Sequence, residues 1–155
     1  MVGTVALDAG DAGHPGERGA HGARGAASLL KAHAAWVLAA AHGLSAAYEL
    51  WRATVKAGIS RYDSLASFLR QDVPLYVIAA VVIALLFLGV AGSAWIGLAF
   101  ATVGILASAL YYSPKVLVAR EPGPIDWLEV LVFTGLLFVA AALLLYEVRG
   151  LSLGG

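Results

Sequence analysis

The sequence predicts an all-α integral membrane protein with three transmembrane helices, or four, preceded by an amphipathic helix at the membrane interface. From Val73 to Pro114 there is no Asp, Glu, Lys, Arg or His over 42 residues. One helix of that length would measure about 63 Å, twice the roughly 30 Å hydrocarbon core of a bilayer, so the run must fold back on itself. A second apolar run, Val130 to Tyr146, has the length of one further span, and apolar residues make up 61% of the chain.

The transmembrane domain is expected over residues 73–155, with spans at residues 74–90, 94–112 and 127–146. Gly89 and Gly92 indicate a tight turn between the first two spans, and Pro114 is expected to end the second. Aromatic residues that favour the membrane interface occur near most of these ends. They are Tyr76, Trp95, Tyr111, Tyr112, Trp127 and Tyr146.

Capping signals predict where the helices of the second half begin. Ser60 with Asp63 has the spacing of a capping box and predicts a short connecting helix, and Asp72 is expected to cap the first span. Asp126 with Glu129 repeats the capping-box spacing before the last span.

The first 25 residues are polar and Gly-rich, and we expect them to form a flexible tail. Their glycines recur at every third position, which is the spacing of collagen. These are Gly10, Gly13, Gly16, Gly19, Gly22 and Gly25. A short trimeric stalk is therefore the alternative, although five triplets with one proline make a poor triple helix.

Residues 26–72 are predicted to form the interfacial region, and its helical pattern covers residues 26–59. At 100° per residue one sector about 80° wide holds Lys31, His42, Ser45, Glu49, Arg52 and Lys56. The opposite side holds Leu30, Val37, Leu44 and Trp51, spaced seven apart, together with Tyr48 and Val55. Such a pattern is typical of an amphipathic helix that lies in the headgroup plane or along a partner.

A fourth span from Ala32 to Trp51 is the competing interpretation of the same region, since 20 residues separate Lys31 from Arg52. Three polar residues within that window, His33, His42 and Glu49, count against it. Many of the remaining residues are Ala, which adds little insertion free energy to offset a buried carboxylate.

Basic residues beside the spans predict the orientation of the chain in a cytoplasmic membrane. Arg52, Lys56, Arg61 and Arg70 precede the first span, and Lys115 and Arg120 lie between the second and third. The opposite side has only Arg149, so the positive-inside rule places the C-terminus outside. The N-terminus is expected in the cytoplasm if the amphipathic helix lies on the surface, and outside if that helix is a fourth span.

The residues able to carry chemistry are few. The chain has no Cys, which excludes disulfides, thiolate metal sites and cysteine nucleophiles, and its zero net charge gives no reason to expect nucleic acid as a partner. His33 and His42 lie on opposite sides of one helix, so they cannot share a metal or haem. Glu129 and Glu147 adjoin a span and raise the alternative of an ion or proton site. No catalytic, cofactor-binding or metal-binding residue is therefore predicted, and no cofactor.

Small residues on the second span, Gly97, Ala101, Gly104 and Ser108, predict a surface for close helix packing. We expect a non-catalytic accessory subunit of a larger membrane complex, for example a respiratory or other energy-transducing one, whose partners are the lipid bilayer and other integral membrane subunits. The alternatives are a holin-like self-assembling pore-forming protein and a small channel or transporter component.

Overall fold

The computed structural model describes the backbone of residues 15–150 and the side chains of residues 29–150. Within that range the chain forms four helices and no strands, so the prediction of an all-α protein is confirmed. We label them α1 (Pro15–Val55), α2 (Leu65–Phe87), α3 (Ser93–Leu117) and α4 (Pro124–Val148). Helices α2, α3 and α4 are each long and apolar enough to cross a membrane.

The helices α2 and α3 extend beyond the predicted bounds because both prolines are accommodated within a helix. Residues Phe68–Asp72, before Pro74, and residues Ser108–Leu117, around Pro114, are π-helical. The wider π turn changes the hydrogen-bond pattern locally, so the missing N–H of proline does not end the helix. The predictions that Asp72 caps a helix and that Pro114 ends one are therefore wrong.

Other helix ends differ from the capping predictions by a few residues. Ser64 caps α2 by accepting a hydrogen bond from the Ser67 N–H at 3.1 Å. The carboxylate of Asp126 accepts from the Gly123 N–H at 2.6 Å, so Asp126 caps the start of α4 and the predicted pairing of Asp126 with Glu129 is not formed. The predicted turn between α2 and α3 is confirmed, with Gly89 and Gly92 both at positive φ.

The helix α1 begins at Pro15 and not at residue 26, so residues 15–25 are helical where a tail was expected. Proline suits a first helical turn, and adding residues to a helix that is already packed costs far less than starting one. The tail prediction for residues 1–14 lies outside the described residues.

Each helix runs antiparallel to its neighbours, and α1 lies along α4. Near one end of the bundle the Nζ atom of Lys31 is 3.4 Å from a carboxylate oxygen of Glu147. Near the other end the guanidinium of Arg52 donates to Asp126. The core between the helices is made of small and aliphatic side chains. They are Ala34, Ala35, Leu38, Ala41, Val82, Leu86, Ala94, Ala101, Leu137, Ala140 and Leu144.

The strip of small residues on α3 packs within the chain. A Cβ atom on Gly97 would lie 3.0 Å from a methyl carbon of Leu144, and one on Gly104 would lie 2.9 Å from a methyl carbon of Leu137. Ala101 is fully buried. Ser108 shares a hydrogen bond of 2.8 Å with Thr134 on α4. Gly97, Ala101 and Ser108 are therefore buried within this chain, whereas Gly104 is half-buried. Whether the strip also meets another subunit stays a prediction.

The orientation of α1 differs from the one expected of a helix on a membrane surface. Its polar side faces the bundle, where His42, Glu49 and Arg52 are all buried. Of the predicted apolar face, Leu30 is buried, Val37 and Trp51 are half-buried, and Leu44 is exposed. The outward-facing residues between His33 and Thr54 are all apolar: Trp36, Ala40, Gly43, Leu44, Ala47 and Leu50. The physical reason is that the polar groups of α1 find charged partners on the other helices.

Candidate functional site: a cavity beside a buried arginine cluster

A cluster of five buried charged residues holds one end of the bundle together, and we call it the arginine cluster: Glu49, Arg52, Asp63, Arg120 and Asp126. Arg52 donates to both carboxylate oxygens of Asp63, at 2.8 and 2.9 Å, and donates a third hydrogen bond to Asp126. Arg52 is 1% exposed and Asp63 is fully buried. This two-pronged geometry is the one in which a planar guanidinium binds a carboxylate most strongly.

Arg120 makes the second two-pronged ion pair of the arginine cluster. Its Nη1 and Nη2 atoms donate to the two carboxylate oxygens of Glu49 at 2.7 and 2.8 Å. The Tyr112 hydroxyl donates to the same carboxylate at 2.8 Å, and the Arg120 Nε atom lies 3.2 Å from Asp63. The cluster therefore connects α1, the loop before α2, the loop after α3 and the first turn of α4.

Local charges favour the ionised forms of Asp63 and Arg120. Burial by itself raises the pKa of Asp63, but the hydrogen bonds from Arg52 and Ser60 and the charge of Arg120 outweigh it and hold that pKa below its usual value. For Arg120, burial lowers the pKa, and the hydrogen bonds and charge of Glu49 more than compensate, so the pKa is raised. Opposite charges within hydrogen-bond distance favour the charged form of both partners.

A cavity of about 290 Å³ opens between the four helices next to the arginine cluster. Most of its wall surface is apolar, as in the usual small-molecule site, but many of its lining residues are polar or charged. The aromatic side chains that line it are Tyr62, Tyr76, Phe100, Tyr111, Tyr112 and Phe133. The ionisable groups that line it, tyrosines apart, are His42, Glu49, Asp72, Arg120 and Glu129.

His42 reaches this cavity at mid-height of the bundle. Its ring lies 5.3 Å from the ring of Phe100 on α3 and 5.4 Å from that of Phe133 on α4. The Nδ1 atom bonds the carbonyl oxygen of Leu38 at 2.9 Å, so Nδ1 must carry the proton of that hydrogen bond. In a neutral imidazole this leaves Nε2 as an acceptor. Among the described residues Nε2 has no hydrogen-bond partner.

Asp72 and Glu129 differ from the other carboxylates of the cavity in their surroundings. Glu49 is neutralised by Arg120. Neither Asp72 nor Glu129 has a basic side chain within 4.0 Å in the part of the chain that the structure describes. The cavity therefore carries two carboxyl groups with no paired cation and a histidine acceptor.

A second, more open cavity of about 230 Å³ lies between α1 and α4 and shares Ser45, Glu129 and Phe133 with the first. Its other lining residues include Leu44, Ile125, Leu128 and Val132, whose side chains form part of the apolar outer surface. The shared residues therefore separate the interior of the bundle from an apolar opening on its side.

The other predicted site candidates lie apart from this cavity. His33 is exposed and its Nδ1 atom bonds the Leu29 carbonyl oxygen at 2.7 Å, so the prediction that His33 and His42 lie on opposite sides of α1 is confirmed. Glu147 pairs with Lys31 at the end of the bundle opposite the arginine cluster. No three side chains able to bind a metal ion come together within residues 29–150.

The sequence does not reveal the arginine cluster because its members are far apart in the chain. Arg52 and Asp126 are separated by 74 positions, and Glu49 and Arg120 by 71. One feature of the sequence does indicate paired charges. Only 13% of the residues are charged, and these four residues flank apolar stretches. Charged residues beside or within membrane segments commonly pair with one another.

No protein family model matches this chain, and no curated protein and no solved structure matches it at a significant level. The class of protein therefore follows from its own fold. It is an all-helical protein with three helices of the length and apolar character of membrane spans, consistent with a multi-pass membrane protein.

Proposed function

We propose that this protein binds a small molecule in the cavity between its helices and acts as a small channel or transporter component of the cytoplasmic membrane. The observation that carries the proposal is the cavity of about 290 Å³ lined by His42, Asp72 and Glu129. From the sequence, the spans themselves lack ionisable residues at mid-depth, which argues against a transporter. His42 of α1 supplies such a residue at mid-height, and intramembrane ionisable residues commonly mark substrate or ion pathways.

The proposed role is binding without chemistry. Two of the polar groups in the cavity already have partners within the protein, since Glu49 is held by Arg120 and Ser108 by Thr134. Asp72 and Glu129 have no ion pair among the described residues, although Ser45 lies within hydrogen-bonding reach of Glu129. Their carboxyl groups are acceptors when ionised, and His42 Nε2 is an acceptor when the imidazole is neutral. Acceptors of this kind orient a ligand, and the apolar walls shield it from water.

The proposal includes α1 as a fourth membrane helix, with both termini outside. Between Lys31 and Arg52 the helix rises about 32 Å, which is close to the roughly 30 Å hydrocarbon thickness. Ion pairs with Glu147 and Asp126 align these two residues with the two ends of α4. The apolar outer face of α1 suits lipid, and the charged groups of Glu49 and Arg52 are paired inside the bundle.

Labelling of single cysteines tests this topology, since the chain has no cysteine of its own. We expect an impermeant maleimide applied to intact cells to label His33→Cys and Val90→Cys, and to label Ala57→Cys only after permeabilisation. All three positions are exposed: Ala57 and Val90 lie in turns, and His33 lies on α1 next to Lys31, at the outer end of the proposed span. If Ala57→Cys and His33→Cys are both labelled only after permeabilisation, both lie on the cytoplasmic side. Helix α1 would then lie on the membrane surface and not span it.

Filling the cavity tests the binding proposal. Ala107 lines the cavity, and Ala109, two positions later, is exposed and does not. We expect protein purified in mild detergent to carry a small molecule detectable by mass spectrometry, and Ala107→Trp to lose it while Ala109→Trp keeps it. Equal recovery of the molecule from both variants would refute the cavity as its site.

An accessory subunit of a larger membrane complex remains a second proposal, and a different surface now supports it. Ala40, Gly43 and Ala47 form an outward-facing strip of small residues on α1, with nothing within 4 Å of a Cβ atom placed on Gly43. Small residues allow the helix of another subunit to approach closely. Gly43→Leu should then release the protein from its complex in native gels without lowering its own thermal stability. Unchanged migration would contradict this proposal.

A further inference from the structure

We propose that the cavity takes a small organic ammonium ion with an apolar body, held by Glu129, Asp72 and His42. This inference rests on the proposed function and names the chemical class of the ligand. It is carried by the geometry of the cavity, by the carboxyl groups that have no cation partner among the described residues, and by a buried imidazole whose free nitrogen is an acceptor.

The charge of the cavity favours a cation over an anion. The charges of Arg120 and Glu49 cancel in a two-pronged ion pair, so the remaining carboxylates determine the sign of the field. A cation that enters a site with few water molecules gains more from such carboxylates than it would in bulk solvent. An anion would meet like charges with no free guanidinium or ammonium group in the described part of the cavity to compensate them.

The hydrogen-bonding pattern favours an ammonium with N–H groups. His42 is 7% exposed, and its Nε2 atom accepts when Nδ1 donates to Leu38. The ionised carboxyl groups of Asp72 and Glu129 in the same cavity also accept hydrogen bonds, and an ammonium group donates them.

The walls favour an apolar body on that cation. Phe100 and Phe133 flank His42, and Tyr76 and Tyr112 line the cavity nearer the arginine cluster. Aromatic rings attract cations through their π faces and also bury apolar groups. A volume of about 290 Å³ accommodates a molecule the size of a phenylalkyl amine.

The side opening gives such a ligand a route from the lipid. Glu129 lines both the inner cavity and the opening between α1 and α4, whose other walls include Leu44 and Leu128. An amphiphilic cation concentrates at the membrane surface, and its charged group then meets Glu129 where the two cavities adjoin. The ammonium headgroup of a lipid shares this chemistry, and the test separates the two sources.

Binding of three probes of similar size tests the inference: 2-phenylethylammonium, neutral 2-phenylethanol and anionic 3-phenylpropanoate. The full chain in phosphatidylcholine nanodiscs is titrated with each by calorimetry. We expect the ammonium to bind at least about tenfold more tightly than either analogue, which corresponds to about 1.4 kcal/mol. If 2-phenylethylammonium binds more weakly in nanodiscs of phosphatidylethanolamine, the ammonium headgroup of that lipid competes for the cavity. If its binding is unchanged, the cavity takes a free amine and not the lipid headgroup.

Substitutions at the carboxyl groups of the cavity test where the ammonium binds. Glu129→Gln keeps the shape of the side chain and removes its charge, and it should weaken ammonium binding about tenfold. Glu147→Gln, a matched change at the far end of α4, should leave binding unchanged. Asp72→Asn provides a second test should Glu129→Gln fail to fold. Ammonium binding that is unaffected by both cavity variants would overturn the inference.

The three probes also distinguish a failure of the cation inference from a failure of small-molecule binding. Equal binding of all three probes, removed by Ala107→Trp, would overturn the cation inference and leave small-molecule binding standing. Failure of all three probes to bind would also overturn the cation inference, and the molecule that co-purifies with the protein would then decide the proposed function.

Discussion

Arg52→Ala should cause the largest loss of stability of any single substitution in the arginine cluster. The change leaves the carboxylates of Asp63 and Asp126 without the guanidinium that donates to both of them. Breaking a buried ion pair by removing one partner costs about 3–5 kcal/mol, which is a large part of the roughly 5–15 kcal/mol that holds a typical protein folded. We expect α1 to detach from α4, measured as a lower midpoint of thermal unfolding in detergent.

Two variants control for effects other than the lost ion pairs. Arg61→Ala removes an exposed arginine that contacts only the neighbouring Tyr62 ring and hydroxyl, and it should change the midpoint little. Arg52→Lys keeps the charge and loses the two-pronged geometry, so an intermediate loss is expected. Equal midpoints for Arg52→Ala and Arg61→Ala would show that the arginine cluster does not stabilise the bundle.

Gly104→Leu should force α3 and α4 apart. A Cβ atom at this position would lie 2.9 Å from a methyl carbon of Leu137, and Leu adds three further carbons beyond it. Overpacking of this kind costs about 1–3 kcal/mol, and here it also disturbs the hydrogen bond between Ser108 and Thr134 one turn away. The free energy of unfolding in mixed micelles should therefore fall by that order.

Gly135→Leu is the matched control for the packing of α3 against α4. Gly135 lies on the exposed side of α4, with nothing within 4 Å of a Cβ atom. Both substitutions replace glycine by a better helix former, so the difference between them isolates the packing effect. A Gly104→Leu protein as stable as the Gly135→Leu protein would mean that the two helices can separate without loss.

Local properties of the sequence were enough to predict an all-helical protein and its three helices of membrane-spanning length. The uncharged stretch from Val73 to Pro114 and the run from Val130 to Tyr146 are local properties, and they correspond to α2, α3 and α4. The turn at Gly89 and Gly92 was also predictable, since positive φ is a local preference of glycine. The small residues Gly97 and Gly104 lie against Leu144 and Leu137 of α4, a partner that the sequence does not identify.

The positions of Pro74 and Pro114 were harder to interpret from the sequence. A proline ends a helix only if the chain cannot rearrange around it. Here the π-helical segments Phe68–Asp72 and Ser108–Leu117 accommodate both prolines, and a single sequence does not show whether such a segment forms.

The orientation of α1 depends on contacts between residues that are far apart in the sequence. Its periodicity separates a polar from an apolar side, but periodicity does not say which side faces the protein. Water would draw the polar side outwards, whereas charged partners on other helices draw it inwards. Arg52 finds Asp126, and Glu49 finds Arg120, both more than 70 positions away. These contacts between distant residues turn the polar side of α1 into the bundle, and they bring His42 and Glu49 to the cavity next to Glu129.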